Sequence, residues 1–292
     1  MSGFPLPTGL GAVVVPAPAP GPQNWAGAPS AAYDEDGSIV LAYRLRWADG
    51  PTDANVIARS ADGDRFETVV TLDKERWGAA MVERPALLRL DDGWRLYVCC
   101  ATPNSKHWWI GLLEAETLEG LADVDVRPIF PGDETVGVKD PVIQHRDGRW
   151  HAWICCHPLD VEGEEDRMTT GYATSSDGLD WEWHGTVLAG RRGRWDARGA
   201  RLTAVLSDGR AAYDGRATQA ENWFERIGIA EPNGDGSFAA TGEALFDARY
   251  LEDLPVWNGG YRLYYEARLP DESHELRAET VAATRGARTR AA

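Results

Sequence analysis

Five polar clusters, each closing a hydrophobic stretch, hold most of the residues in this sequence that could do acid–base chemistry. The clusters are centred on Tyr43, Cys99, Cys155, Tyr213 and Tyr265, and successive clusters are 56, 56, 58 and 52 residues apart. Aspartate, glutamate, histidine and arginine recur in them, and these side chains exchange protons and bind polar ligands. A strand end that only leads into a loop does not need such residues. The clusters therefore predict a common functional site.

Carboxylates are the first group of candidates. Two acidic side chains can act as general acid and general base when their surroundings separate their pKa values. The candidate catalytic residues are Asp140, Asp196, Asp214, Glu221 and Glu266. Trp223 beside Glu221 favours a raised pKa for that carboxyl, which would suit a general acid. The alternative is an ordinary ion pair between Glu221 and Arg226.

Arginine, histidine and tryptophan side chains form a second group, expected near the same site. A guanidinium is a planar fork that suits carboxylate or phosphate, and a tryptophan ring offers a flat amphipathic face. The candidate binding residues are Arg46, Arg84, Trp108, His157, Arg198, Arg216, Trp223, Arg249 and Arg268. The arginines favour an anionic ligand group, unless they neutralise carboxylates of the protein or form ion pairs that seal the axis.

Short strands and tight turns must position these residues. Turns of the Asp-Gly or Asn-Gly type follow the first strand of each unit, at 36–37, 92–93, 147–148, 208–209 and 258–260, and such turns are strong hairpin signals. The repeat predicts an all-β fold, a five-bladed β-propeller with four-stranded antiparallel blades around an axial funnel. In each hairpin the start of the first strand lies beside the end of the second. The polar clusters therefore meet at one rim.

The predicted domain organisation is one propeller over residues 25–284. An extended lead-in rich in Pro, Ala and Gly precedes it at 1–24, and a frayed tail follows at 285–292. A chain of 292 residues with 43% hydrophobic residues can fold without help from metal ions or disulfides.

Composition excludes several classes of function. The net charge of −16 disfavours nucleic acid and anionic membranes as partners. The N-terminal sequence lacks the features of a signal peptide or a spanning helix, which favours a cytoplasmic protein. The vicinal cysteines, Cys99-Cys100 and Cys155-Cys156, indicate reduced thiols. Zinc-site spacing and nucleotide-binding motifs are missing, so we expect no metal and no cofactor.

Three motifs resemble those of the five-bladed β-propeller glycosidases, the relatives of arabinanase, xylosidase, invertase and levansucrase that include glycoside hydrolase family 43. They are Lys139-Asp140-Pro141, the Ser-x-Asp-Gly-x-x-Trp hairpin at Ser175–Trp181 and the strand pattern at Trp94–Val98. The resemblance extends over about residues 25–282. It implies the propeller fold and a small-molecule sugar substrate.

The resemblance also implies three carboxylates around the funnel, in the first, third and fourth blades. Asp140 matches the carboxylate of the third blade. One and two periods earlier stand Arg84 and Ala28, so the first-blade carboxylate is missing, and one period later stands Asp196. By this resemblance Asp140 would orient substrate hydroxyls.

The remaining candidates divide into two roles under the same resemblance. Glu221 or Asp196 would donate the proton to the leaving oxygen, and Glu266 or Asp214 would serve as base or stabilise positive charge. The first hypothesis is thus a carbohydrate-active enzyme that cleaves a small glycoside, either neutral or anionic, by hydrolysis or phosphorolysis. The second is a non-hydrolytic binding protein for a sugar or an anionic ligand, and the third is a propeller adapted to non-glycosidic acid–base chemistry in biosynthesis.

Overall fold

The computed structural model of this chain describes residues 4–49, 53–257 and 259–282. Their fold is all-β and consists of antiparallel sheets, as predicted. The predicted tail at 285–292 lies outside the described residues.

Three sheets contain four strands each. One holds β6 (Ala86–Leu90), β7 (Gly93–Ala101), β8 (Trp108–Ala115) and β9 (Arg127–Phe130). The next holds β10 (Val136–Arg146), β11 (Arg149–Pro158), β12 (Thr169–Ser175) and β13 (Trp181–Ala189). The third holds β14 (Gly199–Val205), β15 (Ala211–Arg216), β16 (Arg226–Pro232) and β17 (Phe238–Phe246).

The remaining strands form a larger sheet with two halves. One half is β2 (Trp25–Tyr33), β3 (Ile39–Arg46), β4 (Ala54–Ser60) and β5 (Glu67–Asp73), and the other is β18 (Arg249–Val256), β19 (Gly260–Arg268), β20 (His274–Ala282) and β1 (Ala12–Val15). The halves join where Trp25 pairs with His274 in parallel. Short 3₁₀ helices occupy Lys74–Trp77, Glu119–Ala122 and Gln219–Glu221.

The lead-in does more than run extended along the surface. Its segment Ala12–Val15 pairs antiparallel with β20 and supplies a fourth strand to β18-β19-β20. The segment predicted as an extended lead-in thus contains one strand that pairs with an edge of the sheet. The run of valines explains the pairing, since β-branched side chains favour a strand wherever an edge is available.

The first strands begin earlier than their sequence pattern predicts, because bulges interrupt three of them without ending them. Ala28, Asp140 and Tyr250 have φ values of 55°, 51° and 49°, a backbone region that residues other than glycine rarely adopt. The pairing register shifts at each of these residues. β2 therefore starts at Trp25 and β10 at Val136, upstream of the predicted starts at Pro29 and Pro141.

Apolar side chains pack between sheets that follow each other along the chain. Four core clusters join the successive sets of strands, from β3–β8 through to β14–β19. A fifth joins the last set to the first, with Tyr264 and Leu276 packed near Leu41 and Tyr43. Hydrophobic burial thus holds each sheet to two neighbours.

All four cysteines are buried and unbridged, and burial raises the pKa of each thiol. They pack in or beside the cores, which gives them a structural environment and no reactive one. In the described part of the chain, we find no helix with the length and apolar character required to span a bilayer.

Candidate functional site

The first strands begin, and the second strands end, at the same rim, which we call the upper rim. Trp25 pairs with Arg46, Gly199 with Arg216, and Arg249 with Glu266. The Asp-Gly hairpins lie at the opposite end, the lower rim. The predicted meeting of the polar clusters at one rim follows directly from this antiparallel register.

A chain of buried ion pairs crosses the upper rim from sheet to sheet. Arg44 bridges Glu83 and Glu266, the second at 3.2 Å, and Arg249 bridges Glu266 at 2.9 Å and Glu225 at 2.7 Å. Arg216 closes the chain on Glu225. In order, the members are Glu83, Arg44, Glu266, Arg249, Glu225 and Arg216. None of these side chains is more than 7% exposed, so the charges depend on each other for stabilisation.

These pairs hold the carboxylates ionised. Burial alone would raise the pKa of Glu225, but the Arg249 and Arg216 guanidiniums lower it to about 2. The pKa values of Glu266 and Glu83 also lie well below the ordinary range, because the attraction of their arginines outweighs burial. Glu266 therefore cannot serve as a proton donor at neutral pH.

Asp140 lies beneath this chain and is fully buried. Its Oδ1 accepts the Arg84 backbone N–H at 3.2 Å, and its Oδ2 accepts hydrogen bonds from Arg201 at 2.7 Å and the Tyr250 hydroxyl at 3.2 Å. The other arm of Arg201 binds Asp214 at 2.6 Å. The structure thus brings Asp140, Asp214 and Glu266 into one charged region, with Arg201 and Tyr250 as connecting residues.

Ala28 occupies the bulge on β2 that corresponds to Asp140 on β10, since both adopt a left-handed φ at a register shift. Its methyl side chain leaves no carboxylate there, and its backbone N–H donates to Glu266 Oε2 at 3.0 Å. Position 28 thus has no carboxylate of its own, and the Glu266 carboxylate of β19 lies against it instead.

None of the six members of the ion-pair chain lies on β10 or β11. Lys139 and His157 face the same side of this hairpin, because His157 pairs with Gly137, two residues before Lys139. The Lys139 ammonium lies 4.7 Å above the Trp108 ring and 3.9 Å from Asp140 Oδ2, too far for a hydrogen bond. Within the described residues the Lys139 ammonium has no hydrogen-bond partner, so its N–H groups could bind a ligand.

His157 supplies an acceptor beside it. Its Nδ1 donates a hydrogen bond to the Glu165 backbone carbonyl at 2.7 Å, so Nε2 carries the lone pair of the neutral ring. This Nε2 is buried, and within the described residues it has no hydrogen-bond partner. Burial and the nearby Lys139 charge lower the pKa of His157 to about 3, so the ring is neutral. An ammonium donor beside an imidazole acceptor matches a ligand hydroxyl, which both accepts and donates.

Two tryptophans stand at the upper rim. Trp223 is 41% exposed, and its ring centroid lies 5.5 Å from that of Trp25, which in turn stacks on His274 at 5.0 Å. Trp223 has a φ of 73°, so its loop holds a left-handed conformation that turns the ring toward Trp25. An exposed indole supported from below is a suitable stacking surface for a sugar ring.

The predicted free arginines are in fact paired. Arg46 binds Asp53 and Glu83, Arg84 binds Glu252, and Arg198 and Arg268 bind Asp166 and Asp247. With Arg216 and Arg249 in the ion-pair chain, each of the six has a carboxylate partner. This pairing favours the alternative in which the guanidiniums neutralise the protein's own carboxylates, and recognition of an anionic ligand by these arginines stays a prediction.

Two predicted acids lie outside the charged region. Asp196 accepts hydrogen bonds from the Tyr213 hydroxyl and from Arg191, each at 2.8 Å, in the core between two sheets. β14 begins only at Gly199, so Arg201 takes the place near Asp140 that the period assigns to Asp196. Glu221 accepts the Ala217 N–H at 2.9 Å and lies 3.6 Å from Arg226, in a 3₁₀ turn at the surface.

Sequence reasoning missed six of the residues that build the site. They are Trp25, Arg44, Glu83, Lys139, Arg201 and Tyr250. Position could have found three of them, because Arg44, Glu83 and Lys139 are the immediate sequence neighbours of Tyr43, Arg84 and Asp140. Tyr250 needed the bulge, which no sequence pattern predicts.

Comparison with known proteins agrees with this architecture. No protein-family model and no curated protein matches the chain. Among solved structures, the beta-1,2-mannobiose phosphorylase of Listeria innocua, in complex with beta-1,2-mannobiose, has a TM-score of 0.62 at 14% identity over 87% of this chain and 89% of its own. The GH43_1 enzyme of Xanthomonas citri, complexed with xylotriose, has a TM-score of 0.64 at 14% identity over 94% and 90%.

A third similar structure comes from work on the GH130 family of mannoside phosphorylases, described as containing glycoside hydrolases that target beta-1,2 mannosidic linkages in Candida mannan. Its TM-score is 0.64 at 15% identity, over 98% of this chain and 95% of its own. At these identities the likeness defines the fold. The chain has the β-propeller fold of glycosidase-like proteins, as its sequence motifs predicted.

Proposed function

We propose that this chain is a carbohydrate-active, glycosidase-like protein that takes a small saccharide at the upper rim of a closed, five-bladed propeller. Five sets of strands and five core clusters, the last returning to the first set, support closure into a ring. In a ring, the upper ends of the first strands surround one axis, which explains why Arg84, Asp140, Arg201 and Tyr250 meet.

The observation that carries the proposal is the buried Nε2 of His157, which has no partner among the described residues and lies near the Lys139 ammonium. Buried polar groups normally have partners, and a buried Nε2 left without one predicts a ligand or water there. Trp223 on Trp25 would stack on the ring of the same saccharide. Asp140 would act as a positioning residue, because it holds Arg201 and Tyr250 and lies beside Lys139 in the chain.

Phosphorolysis fits the site better than hydrolysis by two carboxylates. Hydrolysis needs a base or nucleophile on one face of the sugar, and position 28 carries alanine. Phosphorolysis needs no such base, because hydrogen phosphate itself attacks the anomeric carbon. The glycosidic C–O bond breaks, and the leaving oxygen takes the proton that the phosphate gives up. The Lys139 ammonium would attract the phosphate. The similar structure of the beta-1,2-mannobiose phosphorylase makes this reaction class the first to test.

A binding protein without turnover is the second candidate, and one observation favours it. The five carboxylates of the charged region, Glu83, Asp140, Asp214, Glu225 and Glu266, are all paired with arginines. Three of them, Glu83, Glu225 and Glu266, are held ionised by their arginines and so cannot donate a proton at neutral pH.

The test is product release from mannobiose, xylotriose and aryl glycosides, with and without inorganic phosphate, together with calorimetric binding of each sugar. Lys139→Met should weaken binding at least tenfold without unfolding the protein, since Lys139 makes no close ion pair. Trp257→Ala, at an indole that is 99% exposed near the lower rim, is the matched control. Turnover only with phosphate supports phosphorolysis, and binding without turnover supports the second candidate. If no sugar binds, or if both variants bind equally well, the proposal is wrong.

A further inference from the structure

The loop between β11 and β12, residues 159–168, makes the contact that fixes the protonation of the His157 ring. The Glu165 backbone carbonyl can only accept a hydrogen bond, so in their 2.7 Å contact the proton must be on His157 Nδ1. The other ring nitrogen, Nε2, then carries the lone pair. Whether His157 offers a ligand an acceptor or a donor is therefore set by the position of one loop carbonyl.

Asp166, the residue after Glu165, anchors this loop to the sheet of β14–β17. Its carboxylate accepts hydrogen bonds from both arms of Arg198, from Nε at 3.0 Å and from Nη2 at 2.5 Å. Arg216 on β15 lies 3.4 Å from the same carboxylate and also donates to the Asp166 backbone carbonyl. Arg216 is 1% exposed and belongs to the ion-pair chain through Glu225, so the loop is fixed to a buried part of the upper rim.

This anchor is ionic and directional. Burial alone would raise the pKa of Asp166, but the hydrogen bonds from Arg198 and the charge of Arg216 lower it below its ordinary value. A carboxylate held by both arms of a guanidinium is fixed in orientation as well as in distance. Asp160 of the same loop differs, because it is 60% exposed and pairs with Arg167, which joins the loop to itself.

We propose that Asp166 is a positioning residue of the upper-rim site, a role that rests on the proposed saccharide function. It holds the Glu165 carbonyl against His157 and thereby keeps Nε2 as an acceptor. A saccharide hydroxyl can accept from Lys139 and donate to Nε2, whereas a fully ionised group has no proton to donate and would face the lone pair. The docked loop therefore selects a ligand group that can donate a hydrogen bond.

Loss of the anchor would make the other tautomer of His157 available. Once the Glu165 carbonyl leaves Nδ1, the proton can move to Nε2, the nitrogen that usually carries it in an unconstrained histidine. His157 and Lys139 would then both be donors, and a ligand hydroxyl between them would keep its own proton without an acceptor. We expect saccharide binding to weaken by about tenfold, the size of one lost hydrogen bond.

The first measurement is a proton–nitrogen NMR correlation across the His157 ring in the full chain, with His157→Gln used to assign the signals. Neutral pH is suitable, because the ring carries no charge there. The wild-type protein should show a protonated Nδ1 and an unprotonated Nε2. Asp166→Ala should move the proton toward Nε2, and Arg198→Met, which removes the same ion pair from the other side, should do so too. Asp160→Ala, the matched control in the same loop, should keep the wild-type signals.

The second measurement is calorimetric titration of the same proteins with mannobiose and with xylotriose. Asp166→Ala should bind the sugar about tenfold more weakly than Asp160→Ala, which should match the wild type. Unfolding midpoints of the same samples show whether each variant is folded, and Arg198→Met provides the test if Asp166→Ala is not.

Three results would overturn the proposal: a proton on Nε2 in the wild-type protein, unchanged His157 signals in Asp166→Ala and Arg198→Met, or a changed tautomer with unchanged sugar affinity. If neither sugar binds the wild-type protein, the proposed function fails instead. The NMR comparison then decides by itself whether Asp166 controls the state of His157.

Discussion

Replacing Arg84 with methionine should destabilise the protein by about 3–5 kcal/mol, the usual cost of breaking a buried ion pair from one side. Its side chain is 2% exposed and donates to the Pro29 carbonyl at 3.2 Å, to the Thr203 carbonyl at 2.9 Å and to Glu252. Methionine keeps the length of the stem and removes every donor. Each of the two carbonyls loses a hydrogen bond that contributes about 1 kcal/mol to stability, and the Glu252 carboxylate keeps its charge without the guanidinium that paired with it.

Urea unfolding followed by tryptophan fluorescence measures this loss. Arg59→Met is the matched control, because Arg59 is 41% exposed and its pairs with Asp34 and Asp36 should contribute less than about 1 kcal/mol. Burial raises the pKa of Glu252, so the loss in Arg84→Met should shrink toward acid pH as that carboxyl gains a proton. Equal losses in the two variants, or a loss below about 1 kcal/mol for Arg84→Met, would refute the reasoning.

Three further predictions concern single residues. Asp253→Asn should stabilise the protein at pH 8 and not at pH 4: a pKa raised from 3.8 to about 7 costs up to about 4 kcal/mol once the carboxyl is ionised, and about 2 kcal/mol after allowance for its partial exposure. Urea midpoints at the two pH values check this, and equal midpoint shifts would contradict it. Gly27→Ala should lower the urea midpoint far more than Gly120→Ala, because a Cβ at Gly27 would lie 1.8 Å from Glu266 Oε2 in its ion-pair chain. Trp223→Ala should weaken saccharide binding about tenfold, a stacking contribution of about 1 kcal/mol or more, while the thermal midpoint stays within a few degrees of wild type; a large midpoint drop would instead assign the ring to the core.

Much of the fold could be predicted because its signals are local. Asp-Gly turns such as Asp147-Gly148 adopt φ values of 52° and 71°, which is why that dipeptide marks a hairpin wherever it occurs. The period of the polar clusters then follows from repeating the same hairpin. The strand at Ala12–Val15 was missed because its partner, β20, lies more than 260 residues away, and no local pattern encodes such a pairing.

The sequence predicted where the candidate site lies, but it predicted only some of the residues that form the site. Antiparallel pairing alone places Asp140, Asp214 and Glu266 at one rim, since it depends on strand order and not on detail. The period failed at Asp196, because the loop before β14 shifts the strand and puts Arg201 beside Asp140. Counting residues along the chain takes no account of bulges or of differences in loop length.

The amino-acid sequence by itself determined the all-β class, the hairpins, the rim that carries the polar residues and the missing carboxylate at Ala28. Only the tertiary structure decided that each of the six arginines has a carboxylate partner, that the buried Nε2 of His157 has no partner among the described residues, and that burial raises the pKa of Asp253. The physical reason is that ion pairing at short range depends on distances of a few ångströms between strands far apart in the chain. Composition and spacing set which charges exist, and packing between sheets decides which of them meet.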